Sequence, residues 1–279
     1  MTIAITGATG QLGRLALAAL KARAPQADVI ALARDPAADL GVPVRGFDYS
    51  KPETLAPALA GVKTLVLISS NDFNDRAGQH RAVIEAAKAA GVGRIVYTSI
   101  LKGEASPIIL AGDHIATEAH LKASGLAVTL LRNGWYTENY TGSLAASVAH
   151  GALIGASGEG RIASAARADF AEAIAVTALD DAHAGQTYEL AGDVPHSMAD
   201  FAAEVSRQVG KEIPFNSLPK DVYAGILTGF GLPEGFAAVL ADSDDHASRG
   251  ALLDESRTLS ALIGRPTTPI AVTIKAALA

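Results

Sequence analysis

Seven residues near the start of the chain, Gly7-Ala8-Thr9-Gly10-Gln11-Leu12-Gly13, set three glycines at the spacing G-x-x-G-x-x-G. They follow the strand-like run TIAIT and precede a helical pattern. In that context the first glycine serves a tight turn, the second lets the backbone approach a pyrophosphate, and the third lets the helix pack on the strand. The amides at the helix N-terminus then face the phosphates. The spacing predicts a bound dinucleotide, and a strand-to-helix turn without a ligand is the competing explanation. Arg34 closes the second apolar run, DVIALAR, where an acid would take the ribose 2′-hydroxyl and an arginine suits a 2′-phosphate. This points to NADPH, with Asp35 as the alternative acid, displaced by one position. Ser69 and Ser70 end a further apolar run, at the strand end where open parallel sheets bind ligands. They are placed near the cofactor ribose, unless they only open the following loop.

These residues need a frame to hold them. The runs TIAIT, DVIALA, TLVLIS, RIVYTS and AVTLLR alternate with helical patterns through the first half. Near-continuously apolar strands in that rhythm predict a doubly wound parallel sheet covered on both faces, an α/β fold. Gly91 and Gly125 stand where helix C-caps belong. After Arg132 the rhythm loosens. GALIGASGEGRIAS reads as a turn-rich hairpin, GQTYELAGD as a late strand, and the chain from Ser197 onward as mostly helical. The expected division is a dinucleotide-binding domain over 1–132, joined by later strands, and a smaller substrate lobe over 133–279.

Composition narrows the partners. Hydrophobic residues make up 49% of 279, enough for a sizeable core, and a net charge of −6 without a Lys or Arg run gives nucleic acid or an anionic membrane no footprint. The chain has no cysteine, so disulfides, thiolate metal sites and cysteine nucleophiles are excluded. His80 and His120 have no second ligand nearby in sequence, and no metal site is expected. The glycine-broken N-terminus is unlike a secretion signal, and no run reaches the roughly 20 apolar residues of a membrane span. A cytoplasmic protein with a small-molecule partner is expected.

The glycine motif resembles that of the short-chain dehydrogenase/reductase superfamily, in its extended and atypical branches. By that resemblance Asp48, in GFDYS, lies beside the adenine, although an Asp ahead of Ser50 and Pro52 equally suits a turn. Ordinary members carry Tyr-x-x-x-Lys on the helix after strand five. Here LAGDHIATEAHLKASG puts Leu110 at the tyrosine position and His114 at the lysine position, so the helix lacks the catalytic phenol. Hydride transfer to a ketone makes a strongly basic alkoxide that needs an acid. Hydride transfer to a quinone makes a phenolate-type oxygen with a pKa near ~10, and aromatisation assists it. His114 is therefore the catalytic candidate, with a helix residue satisfied by its neighbours as the bland alternative.

Five stretches, AITGATGQLG, LISS, QHRAVIEAAKAAGV, TLLRNGWYTENY and ADSDDHASRGALLDESRTLSALIGRPTT, together resemble the NAD(P)H:quinone oxidoreductase type 2 family, close to the NmrA-like proteins. The resemblance runs from Ile3 to about Thr268. It implies an extended Rossmann fold with a small C-terminal substrate lobe, NADPH as hydride donor and a quinone as substrate, and the histidine at the lysine position is part of its pattern. Asn133, Trp135, Tyr136 and Tyr140 then become candidates to stack on a flat ring or bond its oxygens. The rivals are an NmrA-like redox sensor that turns nothing over, and a reductase of another delocalised acceptor such as a triphenylmethane dye.

Overall fold

The apolar runs of the first half become parallel strands. The structure, a computed structural model, describes residues 2–279. It begins with β1 (Thr2–Ile5), α1 (Gln11–Arg23), β2 (Asp28–Ala33), β3 (Val44–Gly46), α2 (Leu55–Ala58), β4 (Thr64–Leu67) and α3 (Arg76–Ala89). It continues with β5 (Arg94–Ile100), α4 (Ala111–Ser124), β6 (Ala127–Asn133), α5 (Glu138–Thr141), α6 (Leu144–His150), β7 (Leu153–Gly155), α7 (Arg167–Leu179) and β8 (Thr187–Leu190). The last elements are α8 (Met198–Val209), β9 (Phe215–Ser217), α9 (Lys220–Gly229), α10 (Glu234–Ala247), α11 (Thr258–Ile263) and α12 (Ile270–Leu278). Among the described residues no helix is long and apolar enough to cross a membrane.

The chain divides into two compact units. The first gathers the residues up to Glu104, Gly112–Asn133 and Arg167–Glu189; the second gathers Ala105–Ala111, Gly134–Ala166 and Leu190–Ala279. In the first unit the strands run in the order β3-β2-β1-β4-β5-β6-β8, with β1 to β6 paired in parallel, Ile3 opposite Val29 and Thr64, and Val96 opposite Val66 and Thr129. This is the doubly wound order whose reversal beside β1 opens a crevice at the strand C-termini. All seven residues of β5 are buried, which explains why its sequence does not alternate. Leu32, Leu55, Leu59, Leu65, Ile84, Ile95, Tyr97 and Leu121 belong to one core cluster. Gly91 and Gly125 take φ of +74° and +77° just beyond α3 and α4, the left-handed C-cap conformation that glycine adopts without strain.

The second unit is built on its own core of Trp135, Leu144, Leu153, Ile162, Met198, Phe201, Val205, Ile213, Leu252 and Ile274. Its helix α8 opens with a capping box, the Ser197 hydroxyl accepting from the Asp200 amide and the Asp200 carboxylate accepting from the Ser197 amide. The hairpin expected over 151–164 does not form. β7 instead pairs in parallel with β9, Leu153 opposite Phe215, and Ile162 bridges His196. The glycines that suggested turns have another task there. A Cβ at Gly155 would stand 2.6 Å from Asp244 Oδ2, and one at Gly160 would run into the Ala247 carbonyl, so both admit α10 at close range.

Candidate active site

The β1–α1 loop separates its three glycines by need. Gly7 has φ +60° and its carbonyl accepts from the Gly10 amide at 3.0 Å, which makes the tight turn. A Cβ at Gly13 would run into the Gly7 carbonyl oxygen and come within 2.8 Å of the Ala8 Cα, so this glycine is demanded by the packing of α1 on its own loop. Gly10 differs. Its backbone is extended, with φ −74° and ψ 168°, and a Cβ there would approach only the Gly7 carbonyl, at 3.2 Å. The protein asks less of a glycine at Gly10 than at Gly13, since the Gly7 carbonyl would have to give only a few tenths of an ångström. Thr9, Gly10 and Gln11 are exposed, Ala8 and Leu12 are buried, and the first-turn amides of α1 lack intrahelical acceptors.

The residues expected around the cofactor fall into two groups. Arg34 follows β2, is exposed, and makes no hydrogen bond or ion pair among the described residues. Asp35 spends Oδ1 on the Ala37 amide, 2.9 Å away, within its own turn. Asp48 likewise builds a turn: its Oδ1 accepts from the Ser50 amide at 3.0 Å and the Ser50 hydroxyl at 2.7 Å. That hydroxyl, with Lys51 and Arg34 nearby, holds the Asp48 carboxyl below the usual carboxylate range. Ser70 organises the loop after β4, donating to Gln79 Oε1 at 2.7 Å while its carbonyl accepts from Arg76 Nε at 2.7 Å. The Ser69 amide donates to Thr98 Oγ1 at 2.9 Å, and its buried hydroxyl closes no hydrogen bond in the protein. An exposed arginine, an exposed extended glycine at the helix start and a buried serine hydroxyl without a hydrogen bond suit a phosphorylated dinucleotide.

His114, the fourth residue of α4, is 8% exposed and pairs its Nδ1 with the Tyr97 hydroxyl of β5 at 2.8 Å. A phenol thus does reach the histidine, although α4 carries none. The Tyr97 hydroxyl also lies 3.4 Å from Nδ1 of His80 on α3. His80 takes the Ser70 amide at Nε2 and meets Thr117 Oγ1 through Nδ1, both at 2.9 Å. Burial, then the charge of Arg76, pushes both imidazoles down to about 3, and burial pushes the Tyr97 hydroxyl far above its ordinary value. All three groups are neutral at physiological pH. Arg76 is itself buried, 3.8 Å from the Asp113 carboxylate, with the Phe73 ring 4.7 Å from its Cζ.

The helix carrying His114 is anchored one turn further on. Glu118 accepts from the Ser99 hydroxyl at 2.6 Å and binds Arg132 through both carboxylate oxygens, at 2.9 and 2.7 Å. Against the pull of burial, Arg132 and Ser99 keep Glu118 ionised below its ordinary value. Arg132 also reaches Glu189 at 2.9 Å, tying α4 to β6 and β8.

The aromatic candidates of the second unit divide. Trp135 is buried in its core, and Tyr140 is half-buried, packed on that core against Phe201 and beside Asp244. A strand end followed by aromatics reads the same whether the rings turn toward a ligand or into a lobe. Tyr136 is half-buried and bridges Ala165. Asn133 ends β6 in the first unit, is buried, and its carbonyl accepts from the Leu101 amide. Leu110 packs on the core of the second unit. Tyr97 and Arg76 are not singled out by the sequence, and His80 stands there only as a histidine without a second metal ligand. The signal was the polar Tyr97-Thr98-Ser99 inside a wholly buried strand.

The fold and the loop define a dinucleotide-binding α/β protein, and known proteins narrow the class. Residues 7–181 match the NAD(P)H-binding family. Quinone oxidoreductase 2 of Escherichia coli is 49% identical over 98% of this chain and 97% of its own length. The crystal structure of the NADPH-dependent quinone oxidoreductase from Escherichia coli in complex with NADPH superposes with a TM-score of 0.95 at 48% identity, covering 99% of this chain and all of that one. The triphenylmethane reductase of a Citrobacter species, complexed with NADP(H), has a TM-score of 0.93 at 36% identity, with 99% of each chain covered. The chain belongs to the NAD(P)H:quinone oxidoreductase type 2 family.

Proposed function

We propose that this protein reduces quinones by two electrons, with NADPH as the hydride source. Bound NADPH supplies a hydride from its nicotinamide ring; the remaining work falls to the chain. Gly7 to Gly13 receive the pyrophosphate, Arg34 the 2′-phosphate, and Ser69 offers its hydroxyl to the cofactor. His114 donates a hydrogen bond to the quinone oxygen on which negative charge grows, and Asn133 serves as a second polar contact. Tyr136 is the substrate-side candidate of the second unit. The balance is one quinone, one NADPH and one proton giving one hydroquinone and NADP⁺, the proton coming from solvent after the oxygen's charge has been stabilised.

The observation that carries this reading is the neutral His114–Tyr97 pair. A buried imidazole that resists protonation is a poor acid but a good hydrogen-bond donor, which matches an acceptor whose reduced oxygen has a pKa near ~10. The test is steady-state consumption of NADPH with simple quinones. Continuous turnover supports a reductase, whereas saturable NADPH binding without turnover would make the protein a dinucleotide sensor.

A further inference from the structure

We propose that Tyr97 is a positioning residue that fixes His114 in the tautomer with the proton on Nε2, so that its free ring nitrogen is always a donor. The inference builds on the role proposed above for His114, but its first half concerns only where protons sit within the first unit.

A backbone amide can only donate. The Ser70 amide points at His80 Nε2 from 2.9 Å, so that nitrogen bears a lone pair. His80 is neutral, and its single proton is therefore on Nδ1. That N–H meets Thr117 Oγ1, whose own hydrogen goes to the Asp113 carbonyl at 2.7 Å. His80 Nδ1 thus has no lone pair to offer, and it faces the Tyr97 oxygen from 3.4 Å as a donor. The Thr117 and Ser69 hydroxyls also lie near the Tyr97 oxygen, but of its partners in hydrogen bonds of 3.5 Å or less only His114 Nδ1, at 2.8 Å, can accept. Tyr97 O–H donates to it, and the one proton of the neutral His114 ring is left on Nε2.

The remaining nitrogen is the exposed one. Nε2 of His114 makes no hydrogen bond among the described residues and is not among the side-chain atoms buried without a partner, so it reaches the open edge of this partly exposed residue. The order of donors therefore runs from Ser70 through His80 and Tyr97 to His114. It cannot move a proton outward: His114 could replace a lost Nε2 proton only by making Tyr97 a buried tyrosinate. The device presents a fixed dipole, which accounts for a histidine that assists without acting as an acid.

Nitrogen-15 NMR of protein labelled at histidine, saturated with NADP⁺, tests this directly, with His114 signals identified by their loss in His114→Gln. The expected spectrum has His114 protonated at Nε2 and bare at Nδ1, and His80 the reverse, both unchanged from pH 8 to pH 5.5. In Tyr97→Phe the His114 tautomer becomes mixed, and kcat for a quinone falls about 5- to 20-fold while its KM and the NADPH affinity hold within about twofold. A wild-type His114 proton on Nδ1 would overturn the proposal whether or not the variant folds. So would a Tyr97→Phe protein with unaltered His114 signals. If the tautomers are as stated but no quinone is reduced, the positioning by Tyr97 stands and the proposed function fails.

Discussion

Gly13 sits so close to the Gly7 carbonyl that the two residues leave no room for a Cβ, while a Cβ at Gly10 between them would press on the same carbonyl less closely, at 3.2 Å. The pair is a folding constraint, and Gly10 is the position we propose for pyrophosphate approach. Gly13→Ala is expected to destabilise the fold by roughly 1–3 kcal/mol, as overpacking does, measured by chemical denaturation. Gly10→Val should still melt cooperatively but bind NADPH at least tenfold more weakly by calorimetric titration. Undiminished affinity would return the loop to a plain turn.

Arg34 should decide the cofactor. A charged hydrogen bond contributes about 1.5–3 kcal/mol, so Arg34→Asp is expected to weaken NADPH roughly 10- to 100-fold and to change NADH much less. Equal losses for both cofactors would take Arg34 out of the phosphate site.

The motif ADSDDHASRG proves architectural. Asp242 accepts from the Ile109 amide and Lys220, both at 2.8 Å, and Asp244 from the Ala156 amide at 2.9 Å. Burial raises Asp244 to about 6, above its unfolded value of 3.8. Since the folded pKa is the higher, this group's stabilisation is complete below the unfolded value and is lost as pH rises through about 6. The wild type should lose about 1 kcal/mol from this group between pH 5 and pH 8. Asp244→Asn, which keeps an acceptor for Ala156, should flatten that loss in urea denaturation at the two pH values. A pH dependence identical to the wild type would show that Asp244 ionises freely.

Breaking the Glu118–Arg132 pair should be costly for a different reason. Arg132→Met leaves the nearly buried Glu118 carboxylate without its bidentate partner, and a loss of about 3–5 kcal/mol is expected in denaturant unfolding. A change below about 1 kcal/mol would mean that solvent replaces the guanidinium and that α4 is anchored elsewhere.

What could be read in advance follows how locally each feature is encoded. The strands, the glycine turn and the C-caps at Gly91 and Gly125 depend on neighbours within a few residues, and the sequence shows them. The neighbours of His114 do not. Tyr97 lies 17 residues away, and His80 and Ser70 belong to an earlier crossover, so only the parallel pairing of β4 with β5 assembles them. The second unit misled for the same reason. β7 finds its partner about 60 residues downstream, and the glycines of 151–164 imitate a hairpin while serving close approach by α10. Trp135 packs in a core whose other members, such as Met198 and Leu252, lie far along the chain, so its surroundings are not legible locally.

The central claim is that a neutral histidine donor suffices because the acceptor becomes aromatic on reduction. It is tested most directly by NADPH turnover of a quinone and of its matched saturated ketone, by the wild type and by His114→Ala. The account predicts ready reduction of the quinone, almost none of the ketone, and a loss in the variant well short of the 10²- to 10⁴-fold typical of a missing general acid. Ready ketone reduction by the wild type, or abolished quinone turnover in a variant that still binds NADPH, would contradict it.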